Sequence, residues 1–447
     1  MQTKIKRRSM YNIICKIVAI FIRISCKCIN KKGTDLPGKI LRKIDKNVLK
    51  KLSKNFDEII FITGTNGKTT TSNLIGYSLK KIGKKIVNNY EGANMLDGII
   101  TSIAIQNTSK TKIAILEVDE GSIKKIMNFI IPTKIVFNNF FRDQIDRFGE
   151  IDVLISTISE QIKNKDIQLI LNTDDPFVMR LDKHGKNNKY FGLEENLYDF
   201  NDTGITESKF CPVCSNKLNY KFIHYSQLGI YNCLKCGFKR KNPNYSVSKI
   251  DLNPEINILI NKTKFHTKML GVFNVYNILA AYSLLKQLEL SDNEIEIGFS
   301  SYVSLNGRME IFEDKNNLKY IINLAKNPAG MNVSLSIANN VKNDLSISYL
   351  LILNDNYADG LDISWIWDAD FEILKNQNIK NIICSGKRAK ELALRLKYTD
   401  IKVKIYVEED IKSAIYLLKN NNSNLNIIIP NYTALIKTKK EVERELK

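Results

Sequence analysis

Proline, glycine and histidine are scarce in this chain of 447 residues, which has 8 Pro, 21 Gly and 3 His. So few Pro and Gly indicate few long structureless linkers. The 8 Cys are too sparse for a disulfide scaffold and favour a reducing, intracellular compartment. None of His184, His224 and His266 accompanies a cysteine in a nucleophile-elbow context, so the chain shows no Cys–His catalytic pair of its own.

Acidic residues are also in deficit, because 47 Asp and Glu face 67 Lys and Arg and leave a formal net charge of +20. Nucleic acid, an anionic membrane and phosphorylated substrates are all partners that such an excess suits. A compositional bias is the alternative explanation, since Lys far outnumbers Arg and both Ile and Asn are abundant. Hydrophobic residues at 44% and charged residues at 26% exclude disordered and fibrous classes.

The apolar N-terminal segment from Met10 to Ile24 follows several basic residues, as in a signal peptide. Lys16 and Arg23 interrupt it, and it falls short of the ~20 apolar residues that a membrane span needs. No A-x-A-like cleavage site follows. The segment is therefore predicted to form an amphipathic helix, which either packs on the main body or rests on a membrane surface.

Apolar segments of strand length then alternate with helical patterns. This alternation predicts an α/β fold with a parallel sheet covered on both faces. Helices are predicted where apolar residues recur from Leu74 to Ile82, at Val275 to Leu288 and at Lys387 to Leu396. The predicted strands are Ile59 to Thr63, Ile113 to Val118, Lys134 to Phe140, Ile167 to Asn172, Ser348 to Leu353, Asn381 to Cys384, Lys402 to Val407 and Leu425 to Ile429.

A glycine-rich turn follows the first predicted strand, with the sequence Gly64-Thr65-Asn66-Gly67-Lys68-Thr69-Thr70. Glycines let the backbone curl so that its N–H groups face a phosphate chain, and the following helix N-terminus adds positive potential. Lys68 is expected to reach the β- and γ-phosphates of ATP, and the Thr69 hydroxyl to bind Mg²⁺. The spacing is shorter than the full G-x-x-x-x-G-K-T loop, so an incidental turn is the alternative.

Acidic residues follow two other predicted strands. Glu117, Asp119 and Glu120 end the first of these, and Asp143 and Asp146 follow the second. Mg²⁺ bound to a nucleotide needs one or two carboxylates besides phosphate and water oxygens. Glu117 is the predicted ligand, and a solvated acidic loop is the alternative interpretation.

Cys211, Cys214, Cys233 and Cys236 follow the pattern C-x₂-C-x₁₈-C-x₂-C. Four thiolates on two such knuckles predict the closed tetrahedral site of a structural zinc ribbon. A redox pair and an iron–sulfur cluster are the alternatives. Four protein ligands leave no open position for water, so this metal is not expected to be catalytic.

These motifs resemble those of the ATP-dependent Mur ligases and folylpolyglutamate synthetases. In that superfamily a G-T-N-G-K-T loop precedes a Mg²⁺-binding Glu, which Glu117 resembles here. Gly271 to Asn277 is similar to the family's G-x-H-N-x-x-N, whose last Asn contacts adenine, and Gly307 to Glu310 is similar to its nucleotide-binding G-R-x-E. The resemblance implies that Asn277 and Arg308 bind the nucleotide. Two further segments resemble family motifs, Asn139 to Gln144 and Asn172 to Pro176.

The chain departs from the superfamily pattern at three quoted positions. The family His that helps to hold a second metal is Gln144 here, and the Asp and His of the family's D-Y-A-H-N-P are Asn323 and Lys326. These departures put a second Mg²⁺ in doubt, and with it the usual handling of an incoming amino acid. Lys326 is instead expected to meet phosphate charge directly. The family's N-terminal UDP-sugar domain is not expected.

A zinc ribbon within such a core narrows the resemblance to the MurT family, the synthetase subunits of lipid II isoglutaminyl synthase. Phe140 to Arg147 and Leu353 to Asp368 are similar to hallmark stretches of that family. The resemblance implies ATP-dependent amidation of the D-Glu α-carboxylate in the lipid II stem peptide, through an acyl phosphate. Lipid II or a related lipid-linked precursor is the implied substrate. The implied location is the cytoplasm, and a position at the inner face of the cell membrane is a further expectation. No nucleic-acid partner is expected.

The same resemblance implies a GatD-type glutaminase subunit as the source of ammonia. In such pairs an Asp of the synthetase's C-terminal domain completes the glutaminase's Cys–His pair and orients the imidazole. Asp355, just past the strand at Ser348 to Leu353, is the predicted residue. Asp359 and Asp362 are close rivals. The structural alternative is that Asp355 is a turn residue that caps a loop between a strand and a helix.

The predicted organisation has three parts: a helical lead over 1–55, a Mur ligase-type central ATP-binding domain over 56–312 and a Rossmann-like α/β domain over 313–447. The zinc ribbon is an insertion over 205–242. Two other functions remain open at this point. An amino-acid ligase of the folylpolyglutamate synthetase type is disfavoured by Gln144 and Lys326. A zinc-ribbon ATPase that binds nucleic acid is disfavoured because the basic residues are Lys spread through the chain.

Overall fold

The structure is a computed structural model that describes residues 2–28, 33–108, 110–141, 151–194, 208–252, 255–271, 273–303, 307–340 and 345–446. The described helices are α1 (Gln2–Cys28), α2 (Leu36–Ile44), α3 (Val48–Leu52), α4 (Lys68–Lys81), α5 (Leu96–Gln106), α6 (Ile123–Met127), α7 (Ile151–Ile162), α8 (Phe273–Gln287), α9 (Asp292–Ser301), α10 (Pro328–Leu335), α11 (Ala389–Lys397), α12 (Ile411–Asn420) and α13 (Leu435–Glu445). The described strands are β1 (Glu58–Thr63), β2 (Ile86–Asn88), β3 (Ile113–Glu117), β4 (Lys134–Phe137), β5 (Gln168–Asn172), β6 (Lys189–Leu193), β7 (Asn219–Tyr225), β8 (Leu228–Asn232), β9 (Tyr245–Asp251), β10 (Ile256–Ile260), β11 (Thr263–Thr267), β12 (Glu310–Glu313), β13 (Lys319–Ile322), β14 (Ile347–Ile352), β15 (Ile379–Ser385), β16 (Lys404–Val407) and β17 (Leu425–Pro430).

Nine of the described strands form the first sheet, in the order β11-β10-β9-β6-β5-β4-β1-β3-β2. Its pairs from β2 to β9 in this order are parallel, and β10 and β11 extend it as an antiparallel hairpin. Successive residues of a strand point to opposite faces. Ile60 and Ile62 of β1 therefore pack under α4, α8 and α9, whereas Phe61 packs on the opposite face with α2, α3, α5, α6 and α7.

The second sheet has the order β12-β13-β17-β14-β15-β16, and all its pairs except β12 with β13 are parallel. Tyr349 and Leu351 of β14 face α10 and α11, and Leu350 and Ile352 face α12 and α13. Apolar runs such as this one, buried on both faces, are typical of parallel sheets. The predicted α/β class with parallel-rich sheets is confirmed.

The predicted elements lie where the sequence placed them, with small changes at their ends. The strand predicted to reach Phe140 ends at Phe137, because the chain then turns to hydrogen-bond the glycine-rich loop. Strand β16 begins at Lys404 rather than Lys402, and α11 begins at Ala389 rather than Lys387. The predicted N-terminal helix is longer than its apolar segment and spans Gln2–Cys28.

The predicted limit between the central and C-terminal domains, at 312 and 313, falls inside β12. That strand pairs with β13 and so lies in the second sheet. The domain limits stay a prediction. Among the described residues, no helix is both long enough and apolar enough to cross a membrane.

Candidate active site

The loop from Gly64 to Gly67 joins the carboxyl end of β1 to the first turn of α4. Gly64 and Gly67 have φ values of 125° and 81°, in the left-handed region that favours glycine. Because β1 lies between β3 and β4 and all three run in parallel, the residues that follow these strands meet at one edge of the sheet. We call this edge of the sheet the carboxyl edge.

Asn139, which follows β4, fixes the shape of the loop. Its carbonyl oxygen accepts a hydrogen bond from the Thr65 N–H at 2.9 Å, and its Oδ1 accepts one from the Asn66 N–H at 2.8 Å. The Thr65 hydroxyl and the backbone of Phe141 exchange hydrogen bonds at 3.0 and 3.2 Å. The segment that follows β4 therefore holds the loop in place.

Asn277, in α8, contacts the other end of the loop. A Cβ atom at Gly67 would lie 1.9 Å from the Asn277 Oδ1, so only glycine fits there. The Nδ2 of Asn277 donates to the Asn274 Oδ1 at 2.9 Å, and its Oδ1 accepts from the Thr71 hydroxyl at 3.4 Å. The structure thus brings together the loop and the Asn that sequence resemblance assigns to the adenine.

Lys68 is buried at the base of the loop and pairs with Glu120. Its Nζ lies 2.9 Å from the Glu120 Oε2 and also donates to the Gly64 and Thr65 carbonyl oxygens at 2.5 and 3.1 Å. Burial lowers the pKa of Lys68, but the negative charges after β3 outweigh it and raise that pKa above its ordinary value. Lys68 is therefore a charged, immobilised cation at the N-terminus of a helix.

Glu117, the last residue of β3, is held by two amides. Its Oε1 accepts from the Asn94 Nδ2 at 2.9 Å, and its own backbone exchanges two 2.8 Å hydrogen bonds with the Asn89 side chain. Arg308 lies within electrostatic reach of this carboxylate: burial lowers the pKa of Arg308, and the charge of Glu117 opposes that effect. Thr69 lies in the first turn of α4 with its side chain half-buried.

Some of the buried polar atoms that lack a hydrogen-bond partner lie at the same edge. Among the described residues, Thr63 Oγ1, Asn66 Nδ2, Asp119 Oδ1 and Asn138 Oδ1 are buried without a hydrogen-bond partner. Such atoms are rare in folded proteins and call for a ligand or water. Oxygen donors beside two carboxylates fit a hard cation such as Mg²⁺, and the cationic Lys68 fits the phosphates that accompany it.

The second sheet contributes residues to this edge as well. Asn327 caps α10 through its Oδ1, which accepts from the Gly330 N–H at 2.8 Å, and its Nδ2 donates to the Asn66 Oδ1 at 3.2 Å. The neighbouring Lys326 is half-buried, and its positive charge acts on Glu120. Two lysines from different sheets therefore face one buried carboxylate.

The structure describes one of the two remaining predicted acidic segments, the one after β5, but not the other. Asp143, Gln144 and Asp146 lie outside the described residues. Asp174 and Asp175, in the motif after β5, are fully buried. Asp174 accepts hydrogen bonds from the Arg240 Nε at 2.6 Å and the Tyr276 hydroxyl at 2.8 Å, so it joins three segments of the central domain.

Asp175 accepts a hydrogen bond from the Phe140 N–H at 2.7 Å, beside the glycine-rich loop. Burial raises the pKa of Asp175 to about 7, although backbone N–H groups oppose this effect. This carboxyl group holds the segment that follows β4 against the segment that follows β5.

The four predicted zinc ligands come together. The Sγ atoms of Cys211, Cys214, Cys233 and Cys236 all lie within 4.8 Å of one another, with the Cys211–Cys236 pair at 3.6 Å and the Cys214–Cys233 pair at 3.5 Å. Zinc with four thiolates at ~2.3 Å places its sulfur atoms about 3.8 Å apart, close to these values. The N–H of Cys236 lowers the pKa of Cys233 to about 6, which favours the thiolate that a metal binds.

The ribbon also contacts the carboxyl edge. Gln227, in the turn between β7 and β8, is fully buried, and its Nε2 donates to the Phe140 carbonyl at 2.7 Å. The Tyr231 hydroxyl donates to the Thr173 carbonyl at 3.3 Å. The ribbon therefore packs on the segments that follow β4 and β5.

Asp355 lies after β14, about four-fifths buried at its side chain. Its Oδ2 accepts from the Arg388 Nε at 2.9 Å and Nη2 at 2.7 Å, and these hydrogen bonds lower the pKa of Asp355. The rival carboxylates have other roles. Asp359 is buried and bonded to Thr433, and Asp362 accepts from the Ser364 N–H at 2.8 Å.

Two families of known proteins match this chain. The Mur ligase middle domain family matches residues 62–285, and the MurT ligase C-terminal family matches residues 324–435. The chain is 47% identical over 427 residues to subunit MurT of the glutamine-hydrolysing lipid II isoglutaminyl synthase of Staphylococcus aureus strain N315, covering 96% of this chain and 97% of that protein. The chain belongs to the MurT family. The Streptococcus pneumoniae R6 MurT subunit is 35% identical, with 91% of each chain covered.

Solved structures show the same fold. A pseudomurein peptide ligase type C from Methanothermus fervidus matches with a TM-score of 0.69 at 23% identity, covering 87% of this chain and 79% of that one. MurF ligase from Thermotoga maritima, solved in complex with ADP, matches with a TM-score of 0.62 at 14% identity, covering 90% and 84%. The Mur ligase-type fold predicted for this MurT-family chain is confirmed.

Several residues of the site escaped the sequence-based choice. The carboxylate that pairs with Lys68 is Glu120, a pairing that the sequence did not indicate, and Glu117 stays the predicted Mg²⁺ ligand. Asn139 belongs to a motif that gives it no separate role, and Gln227 gives no signal because glutamines in turns are common. Acidic residues after a strand were the one local signal that pointed to Glu120.

Proposed function

We propose that this chain is the synthetase subunit of a lipid II isoglutaminyl synthase. It converts the α-carboxylate of D-Glu in a lipid-linked stem peptide to an amide, with ATP as the activating reagent. The single observation that supports this most strongly is the 47% identity to a curated MurT subunit over 96% of the chain. The site geometry is consistent with it, since a buried lysine, carboxylates and an arginine converge beside a glycine-rich loop.

The first step is phosphoryl transfer from ATP to the carboxylate. A carboxylate oxygen attacks the γ-phosphorus, ADP leaves, and an acyl phosphate remains. This step asks the protein mainly for positioning and charge neutralisation. We assign Lys68 to the β- and γ-phosphates, with the loop from Gly64 to Thr70 around them, and Asn277 and Arg308 to the nucleotide.

Lys326 is assigned to the phosphoryl group during its transfer. It follows a strand of the second sheet, and its positive charge acts on Glu120 beside the loop. Mg²⁺, when bound, neutralises the phosphate oxygens, and Thr69 and Glu117 are the residues that would hold it. Asp119 has a buried oxygen without a partner and is a further candidate for that role.

The second step is attack by ammonia on the acyl phosphate. The nitrogen bonds to the carbonyl carbon, phosphate leaves with one of the original carboxylate oxygens, and a proton is released. Ammonium dominates over ammonia at neutral pH, so a local source is needed. None of the chain's 3 histidines forms a Cys–His glutaminase pair in a nucleophile-elbow context. A GatD-type glutaminase subunit is therefore proposed as the partner.

Asp355 is proposed to complete the partner's Cys–His pair. Among the three acidic candidates, Asp359 is buried against Thr433 and Asp362 caps a turn, whereas Asp355 contacts the partly exposed Arg388. Tyr357 and Leu361, nearby along the chain, are 83% and 66% exposed and suit a protein interface. A modest movement of Arg388 would free the Asp355 carboxylate for an imidazole.

The four cysteines are proposed to bind one structural zinc ion. Their sulfur spacing is close to tetrahedral, and four protein ligands leave no position for water. The proposed location is the cytoplasm, at the inner face of the membrane that holds the lipid substrate. The proposed domain limits are 1–55, 56–312 with the ribbon at 205–242, and 313–447.

Oxygen labelling tests the acyl phosphate. Stem-peptide substrate with ¹⁸O in the D-Glu α-carboxylate is incubated with the chain, ATP, Mg²⁺ and ammonium, and the phosphate is analysed by mass spectrometry. One ¹⁸O per phosphate is the expected result. Phosphate without label would exclude the activated carboxylate.

A further inference from the structure

Helix α1 has two faces of opposite character, and one of them is apolar and exposed. Six large apolar side chains between 53% and 70% exposed recur at helical spacing. They form one stripe along α1, which we call the apolar stripe: Met10, Ile13, Ile14, Ile17, Phe21 and Ile24. Single exposed apolar residues are ordinary, but a continuous stripe over about 22 Å of helix marks an interaction site.

The opposite face of α1 already has its partner. Cys15 and Ala19 are buried and belong to the core that contains α2 and α5. The Tyr11 hydroxyl donates a 2.5 Å hydrogen bond to Asp45. With 100° between successive residues, Cys15 and Ala19 point away from Ile17 and Phe21. Helix α1 is thus seated on the protein by one face and presents the apolar stripe outward.

The charge of α1 indicates what covers the stripe. The helix sequence QTKIKRRSMYNIICKIVAIFIRISCKC contains no Asp or Glu. Its basic residues are Lys4, Lys6, Arg7, Arg8, Lys16, Arg23 and Lys27. A basic amphipathic helix with an apolar face lies in the surface of an anionic bilayer, where lysines and arginines meet the headgroups. No described helix is long and apolar enough to cross a bilayer, so the helix is expected to lie along the surface.

The position of α1 fits such a surface. Arg23, near its end, forms an ion pair with Glu91, in the loop after β2. Two residues earlier, Asn89 hydrogen-bonds the backbone of Glu117 at the carboxyl edge. A bilayer under α1 would therefore lie beside the segment that borders the candidate active site.

We propose that α1 binds an anionic membrane surface through the apolar stripe and thereby holds the active site near lipid-linked substrate. The binding itself stands on the helix alone, and only its purpose rests on the proposed function. A second copy of the chain and a protein partner are the other occupants that an apolar stripe could take. Seven basic residues and no acidic ones on each helix disfavour a pair of such helices.

Vesicle binding by the full-length chain tests this. Co-sedimentation is measured with vesicles of phosphatidylcholine alone and of an equimolar mixture with phosphatidylglycerol, without substrate or nucleotide. The test variant is Ile17→Glu with Phe21→Glu, two exposed positions of the apolar stripe. The matched control is Tyr416→Glu, at a position 59% exposed on α12. Circular dichroism and ATP binding verify that each variant is folded.

The wild-type chain and Tyr416→Glu are expected to bind the anionic vesicles, more weakly at high salt. The double variant is expected to bind at least about tenfold more weakly. Equal binding of all three proteins, or no binding by the wild type, would overturn the proposal. Light scattering that shows a wild-type dimer and a monomeric double variant, with vesicle binding unchanged, would assign the stripe to a second copy. Because catalysis is not measured, failure here leaves the amidation proposal intact.

Discussion

The Nζ of Lys68 and the Oε2 of Glu120 lie 2.9 Å apart, with both side chains less than a tenth exposed. A buried ion pair of this kind gains little net stability over an apolar pair, but loss of one partner is costly because a charge stays behind. The same lysine is assigned to the ATP phosphates. Glu120 balances the charge of Lys68, and we expect the phosphates of a nucleotide to take over this role.

Replacement of Glu120 tests this relationship. Glu120→Gln is expected to lower the free energy of unfolding by about 3 kcal/mol without nucleotide, because Lys68 loses its nearest counter-charge. Saturating Mg-ATP is expected to raise the Tm of this variant more than that of the wild type, since the phosphates replace the missing charge. Differential scanning fluorimetry measures both effects.

A control ion pair lies at the start of β1, at the opposite end of this strand from the glycine-rich loop. Glu58 accepts from Lys134 at 2.7 Å, away from the loop. Glu58→Gln is expected to lower the Tm without changing the ATP-dependent shift. If Glu120→Gln and the wild type respond equally to Mg-ATP, Lys68 does not exchange Glu120 for phosphate.

Two glycines with similar backbone angles separate strain from function. Gly67 and Gly83 have φ values of 81° and 80°, but only at Gly67 would a Cβ clash, with Asn277. Alanine at either position is expected to cost about 1–2 kcal/mol of stability. Gly67→Ala is expected to weaken ATP binding at least about tenfold as well, because the loop must shift. Calorimetric titration of both variants measures this, and an equal loss of affinity in Gly83→Ala would contradict the assignment of the loop.

The glycine-rich loop could be predicted from the sequence because its glycines, its lysine and the flanking strand and helix are adjacent in the chain. Strands such as β1 and β14 could be predicted because buried parallel strands are almost wholly apolar. The pairing of Glu120 with Lys68 could not, because a tight turn after β3 sets the direction of that carboxylate. The contact of Gln227 with Phe140 joins residues far apart in sequence and depends on the position of the whole ribbon. The N-terminal helix shows a third limit: the sequence offered packing on the body or on a membrane as alternatives, whereas α1 packs on the body with one face and leaves the apolar stripe exposed on the other.

The ribbon cysteines give a prediction about metal content. Inductively coupled plasma mass spectrometry of the purified chain is expected to show about one zinc ion per molecule. Cys214→Ser is expected to lose most of that zinc and to lower the Tm, since a structural zinc contributes directly to folding. Cys28→Ser is the control, because Cys28 is an exposed thiol on α1. A zinc-free wild type, or one with the absorbance of an iron–sulfur cluster, would refute the zinc assignment.

Asp355 is tested in the complex with the glutaminase subunit. Asp355→Asn is expected to reduce glutamine-dependent amidation by about 10²–10⁴-fold, because the partner's imidazole loses its orienting carboxylate. Ammonium-dependent amidation is expected to stay unchanged, since ATP and substrate bind elsewhere. Asp362→Asn is the matched control and is expected to keep both activities. A parallel loss of both activities in Asp355→Asn would show instead that this residue supports the fold or the synthetase site.

The central claim, amidation of a carboxylate by this chain, is tested most directly with labelled ammonium. The purified chain is incubated with lipid II, ATP, Mg²⁺ and ¹⁵N-ammonium, with a mixture of amino acids in a parallel sample, and the stem peptide is analysed by mass spectrometry. The expected result is one ¹⁵N at the D-Glu α-position in the ammonium sample and no product in the amino-acid sample. A stem peptide extended by an amino acid, or one left unlabelled in the presence of ATP and ammonium, would contradict the account.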